Sequence, residues 1–435
     1  MKFLPIPDLV RLPSSEQKAA AHTDILKNLE SFSIKAEFAP YILNRTQFTP
    51  KLSQYSIGVD QLSNLKNFES ENKKEFTTEQ RQVLETDHFF ITSNSDVFYV
   101  HDPEQFTGNK RLNDWTDLYE DIGGGHIFTR APENAVFVTS DFLLHVYHKL
   151  IEKQFEYLEQ KVFYPKLREI CDNVLDKAIA RYENETDPAN KASLERVLTF
   201  FAVPKVILDT ASEEAKQENY EDTKADTQEA ALQRLDELVA SLPSGSVENT
   251  RKEITNIFKA DSVEDSPTFA QFLDGELHDY TQYVPRSHYS KNSVLRTFFR
   301  AMMWFGRTNF LIKSEALTRD AVFMTLLLSE SGQLINWDAI YSPTVFFVGK
   351  SDDLGVYEYA KELKELGDTS VTSNLVTTLQ EKLKHYQGPQ VMSSVIVDES
   401  VPGKAKEELQ AETKGFRFMG QRFTPDAFIF STLTQ

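Results

Sequence analysis

From residue 140 onward, large apolar side chains recur every three or four positions over most of the chain, the spacing that gathers them on one face of an α-helix. The pattern predicts helix from Ser140 to about Glu185 with a break at Pro165. A second helix, in "NKASLERVLTFFAVPKVIL" (190–208), is expected to end near Pro204 and short of the end of that stretch. "SLPSGSVENT" (241–250) reads as a break that opens a short helix at "RKEITNIFKA", and further helices are predicted over 290–312, 315–330, 354–366 and 371–386. Upstream the pattern is mixed. Residues 15–31 read as a helix capped by Ser15, and 39–62 alternate apolar and polar residues with prolines, which suits an extended arm or edge strands. Thr77 or Thr78 with Glu79 marks a helix start for 77–91, and a glycine-rich turn region (121–141) contains one short strand, "AVFVT". The expected fold is mainly α, a large irregular multi-helix domain with minor β. Residues 1–75 form an N-terminal helix and extended arm packed on the main body, and 76–435 form the helical main domain.

Two helices carry charge on one side. At roughly 100° per residue, Leu143, Leu144, Val146, Tyr147, Leu150, Ile151, Phe155 and Leu158 share one arc of the 140–160 helix. Asp141, His145, His148, Glu152, Glu156 and Glu159 share the other. His145, His148 and Glu152 project from one face at spacings that suit a divalent transition metal, with His126 of "GGGH" as a further imidazole. The same residues also read as the hydrated side of an ordinary helix, since the spacing is not HExxH. On the 290–310 segment, Arg296, Arg300 and Arg307 form a basic stripe among Leu295, Phe298, Phe299, Met302, Met303, Trp304 and Phe305. A helix so apolar is buried on most sides, so its arginines need partners. Those partners are either internal carboxylates or the anionic group of a ligand, in a pocket to which Arg286, His288 and Tyr289 of "QYVPRSHYS" add their side chains. The two stripes are expected to face one another across a charged cleft.

Composition narrows the functional classes. The 435 residues are 40% hydrophobic with 32 phenylalanines, ample for a real core, and carry a net charge of −19. That charge argues against nucleic acid and against anionic lipid, both of which select basic surfaces. The longest apolar stretch, 321–328, is too short to span a bilayer, and prolines with Asp8 interrupt any leader-like region at the start. The lone cysteine, Cys171, reads as a packing residue. Residues 211–228, acidic and nearly without large apolar groups, read as a solvated loop. "GGGH" lacks the P-loop Lys-Ser/Thr, Ser351, Asp352 and Asp353 read as helix-start charges, and there is no GxSxG.

Three stretches, "VFVTSDFLLHVYHKLIEKQFEYLE", "VPRSHYSKNSVLRTFFRAMMWFGR" and "GFRFMGQRFTPDAFIFSTL", occur in this order. Together they resemble the domain of unknown function 3160 family, uncharacterised exported or surface proteins of bacteria and archaea. The resemblance implies an extracytoplasmic protein, secreted or held at the cell surface as lipoproteins are, and a further C-terminal part beyond Gln435. It supplies no activity, cofactor or catalytic residue. The expectation is therefore a cell-envelope protein that binds a ligand or polymer in the charged cleft. The alternatives are a metal-assisted hydrolase using His145, His148 and Glu152, and a structural module whose charged stripes are fully occupied by internal partners.

Overall fold

The computed structural model describes residues 28–29, 58–62, 65–72, 75–87, 140–212, 225–273, 277–391, 412–420 and 422–433. Most of the N-terminal helix and arm, the glycine-rich region with His126 and "AVFVT", and residues 213–224 of the acidic stretch lie outside them. The chain divides into two compact units, Ile42–Gln154 and the combination of Met1–Tyr41 with Phe155–Gln435.

In the first unit, α1 (Leu65–Asn72) and α2 (Thr78–Asp87) bury Leu65 and Leu84 with Val59 and Phe76. The start of α2 is a reciprocal cap: Thr77 Oγ1 accepts from Gln80 N, and Thr77 N donates to Gln80 Oε1 at 3.0 Å. Glu69 is paired with Arg81 and accepts from Phe76 N. The same unit holds most of α3 (Ser140–Leu158), where the amphipathic pattern has an unexpected outcome. Leu143, Leu144, Tyr147 and Leu150 remain more than 60% exposed.

The second unit is built around α5 (Pro188–Leu208), which packs against α4 (Tyr164–Asn184), α7 (Ser244–Lys259), α8 (Ser293–Arg307) and α9 (Glu315–Glu330). A smaller helix, α6 (Gln228–Leu238), leans on α7. Helix α5 does not end at Pro204, as its sequence suggests, but runs on to Leu208. Proline removes the hydrogen bond to the carbonyl four residues earlier, here that of Phe200. Trp304 Nε1 on α8 supplies the missing donor, 2.9 Å from Phe200 O, in a site closed to water. Around this bond Phe200, Phe201, Phe269, Phe305, Phe310 and Phe418 pack with ring centroids mostly 5–6 Å apart. Trp304→Phe keeps most of the ring but orphans the Phe200 carbonyl. Its expected cost is about 2 kcal/mol, the desolvation penalty of a buried acceptor, measurable as a lower urea midpoint at unchanged slope.

The remaining helices are α10 (Leu334–Val348), α11 (Val356–Leu366), α12 (Ser373–Leu383) and α13 (Pro425–Leu433). Among the described residues β structure is limited to two-residue strands and isolated bridges. β1 (Val263–Glu264) pairs antiparallel with β2 (His278–Asp279), and β3 (Phe310–Leu311) with β4 (Gly415–Phe416). Gly415 is required where it stands, because a Cβ there would lie 2.0 Å from Asn309 Oδ1 and 2.8 Å from the Phe310 carbonyl oxygen.

Candidate functional site

Helix α3 cannot pass smoothly into α4, because Pro165 occupies the first turn of α4 and has no N–H to give the preceding turn. The chain accommodates it with one π-turn, Glu159–Phe163. The insertion changes the register of the polar arc at the moment it reaches the core, and Glu159 is left only 8% exposed.

A buried carboxylate must be satisfied, and here both oxygens are. Glu159 Oε2 lies 2.6 Å from His288 Nε2, and Oε1 accepts from Tyr289 Oη at 2.6 Å. His288 and Tyr289 come from a 3-10 turn, Ser287–Ser290, that opens with Ser287 in the left-handed region at φ 55°. A non-glycine residue there is strained, and such strain collects at functional positions. Tyr289 is clamped between the His288 ring at 4.0 Å and Phe299 at 4.9 Å, and burial beside Glu159 raises its hydroxyl pKa. One turn earlier on α3, Glu156 accepts from Lys291 Nζ at 2.9 Å.

The pairing has chemical consequences. A carboxylate bound at one imidazole nitrogen fixes ring orientation and leaves the other nitrogen for proton exchange or for a ligand. For His288 that other nitrogen is Nδ1. Arg286, exposed at the edge of the turn, lies with its guanidinium carbon 5.2 Å from the centre of the Phe299 ring and donates to Gln282 O at 3.4 Å. A guanidinium held over an aromatic ring keeps N–H groups free of that contact for a planar anion.

The arginine stripe is occupied differently. Arg296 donates to Asp226 through Nε at 2.9 Å and Nη2 at 2.6 Å, and Arg300 Nη1 donates to the other Asp226 oxygen at 2.6 Å. Arg296 also donates to Ser290 O at 3.1 Å, tying the stripe to the His288 turn. Arg300 lies over Phe258, and burial lowers its pKa while Asp226 opposes that shift. Arg307, at the far end of α8, is 3.8 Å from Asp279. Among the described residues of this unit, Glu156 and Glu159 engage the 288–291 turn, and Asp226 takes two of the arginines. Asp226 belongs to the acidic stretch expected to be a solvated loop, yet it is 6% exposed. Nothing in its sequence neighbourhood marks it, because its partners lie 70 and 74 residues away.

The metal candidates separate in another way. His145 is half-buried, His148 is exposed, and Glu152 lies 3.7 Å from Lys149 Nζ. Among the described residues, no three or more His, Cys, Asp or Glu side chains come together as a metal ion would require, and His126 lies outside those residues. No helix of the described residues is long and apolar enough to cross a membrane.

Residues 77–435 match the model of a protein family whose description is a protein of unknown function, DUF3160. No curated protein and no solved structure matches the chain.

Proposed function

We propose, from the premise that this chain belongs to the DUF3160 family, that it is an extracytoplasmic cell-envelope protein binding an anionic ligand or polymer of the envelope at the His288 turn. One observation carries the reading: a π-turn and a left-handed serine, two costly departures from regular backbone, converge on the Glu159–His288–Tyr289 cluster. The exported character implied by the family resemblance supports the envelope placement. Arg296 and Arg300 serve architecture through Asp226, so recognition falls to Arg286, exposed and held over Phe299, and to His288 Nδ1. Against a net charge of −19, such a local cation selects short-range contact with one carboxylate or phosphate group over long-range attraction.

The test uses fluorescence anisotropy with a fluorescein-labelled polygalacturonate and, as the neutral counterpart, labelled dextran. The protein is expected to bind the acidic polymer in a salt-sensitive manner and to ignore dextran. Arg286→Ala and His288→Gln each weaken binding roughly tenfold, the scale of one charge-assisted hydrogen bond. Equal affinity for both polymers, or variants that bind like the parent, would remove the proposal.

A further inference from the structure

We propose a second recognition site at the junction of α10 and α13, a docking surface for a polypeptide segment that carries a carboxylate beside a run of apolar residues. Its centre is Arg422. The other well-buried arginines of this unit each hold a carboxylate: Arg196 holds Asp320, Arg296 and Arg300 share Asp226, Arg319 takes Glu315, and Arg417 takes Asp353. Arg422 pairs with no carboxylate among the described residues. Its guanidinium lies 4.5 Å over the Tyr341 ring, its Nη1 is enclosed without a hydrogen-bond partner, and burial lowers its pKa. An enclosed cation that lacks a counter-charge is costly to keep, and an incoming carboxylate relieves that cost.

The backbone around Arg422 holds it in place. Arg422 forms an antiparallel bridge with Ser351, and Phe423 N donates to Lys350 O at 2.8 Å. Gly349 makes the close approach possible: at φ 117° it ends α10, and a Cβ there would stand 2.6 Å from the Phe423 carbonyl oxygen. From this junction two apolar ends lead away. Phe346 and Val348, in the last turn of α10, are 80% and 40% exposed, and Ile429 and Leu433 of α13 are 54% and 76% exposed. Exposed large apolar side chains on the two helices that meet at this cation give the composition of a protein-binding surface.

Charge chooses the occupant. The chain carries −19 overall, so an anionic lipid surface is repelled at long range, and one guanidinium does not reverse that field. A single carboxylate embedded in apolar peptide meets little of the repulsion and matches both halves of the site.

The experiment uses two fluorescein-labelled peptides, four apolar residues followed by aspartate and the same peptide with asparagine, titrated into the full chain and read by anisotropy. The aspartate peptide is expected to bind saturably, and the asparagine peptide roughly tenfold more weakly. Arg422→Met should abolish the distinction, and Phe346→Asp should weaken the aspartate peptide with Arg422 intact. If Arg422→Met fails to fold, the peptide pair on the parent protein and Phe346→Asp decide the matter. Equal binding of the two peptides, binding of neither, or Arg422-dependent sedimentation with phosphatidylglycerol vesicles in place of peptide binding would overturn the proposal.

Discussion

Asp226→Asn is expected to lower stability by about 3 kcal/mol at neutral pH, out of proportion to a change of one atom. The substitution keeps the shape and one acceptor oxygen but removes the charge that two guanidinium groups share. Asp226 has a side chain 2% exposed, and Arg296 and Arg300 are each 12% exposed, so water cannot replace it. Two like charges would then share one enclosed site, the arrangement that costs most when a buried ion pair loses a partner. Urea unfolding at pH 7.5 measures the loss. A second substitution tells charge from packing: Arg300→Met in the Asp226→Asn background removes one of the stranded cations and is expected to recover about half the loss. A single variant within about 0.5 kcal/mol of the parent would mean that some other acid neutralises α8. In that case Arg296 and Arg300 would return to the list of ligand-binding residues.

Acid is expected to unfold this protein through His278 before most of its carboxylates are protonated. The imidazole sits in β2, 8% exposed, with Nε2 2.8 Å from Tyr283 Oη and its ring against Tyr280 and Trp304. Burial, reinforced by the positive charges of Arg307 and Arg417, pushes its pKa down to about 3 from the ordinary 6.5. The folded state therefore refuses a proton that the unfolded chain accepts. Stability is complete above pH 6.5 and is lost as pH falls toward 3, by about 5 kcal/mol in all for a shift of that size. Asp320 works in the opposite sense. Burial raises its carboxyl to about 6 despite Arg196, so its protonation as pH falls toward 4 favours the folded state. The two groups overlap between pH 6 and 4, and His278→Gln separates them. That variant keeps a hydrogen-bonding group near Tyr283 and cannot titrate, so its stability should decline far less between pH 6.5 and 4. Parallel pH profiles for parent and variant would show that His278 is not the acid-sensitive group.

Much of the helical architecture is legible along the chain because its signals are local. Asp187, Thr227, Asn292, Ser314 and Thr372 each accept a backbone N–H as N-caps, and each is a residue type whose short oxygen-bearing side chain favours that position. The apolar spacing of 315–330 places α9 correctly, because a buried helix is read from its own period. Helix α10 escaped that reading. "LINWDAIYSPTVFFV" is apolar on all sides and contains Pro343, so neither period nor breaker identifies it as a helix. The charged residues on α3 and α8 are equally visible as stripes, and the need for partners on α8 follows from its apolar surroundings.

Which groups meet those needs is settled only when distant segments are brought together. Pro204 looks like a helix terminus until Trp304, 104 residues away from Phe200, supplies the hydrogen bond that proline removes. Asp226 looks like part of a hydrated loop until two arginines 70 and 74 residues onward enclose it. The sequence alone determined the helical class, most helix starts and the positions of the charged stripes, since these follow from intervals of a few residues. Tertiary packing decided that Glu159 belongs to His288 and Tyr289 and that Arg422 stands without a carboxylate among the described residues. The desolvation cost of a buried polar group depends on neighbours that no short stretch of sequence specifies.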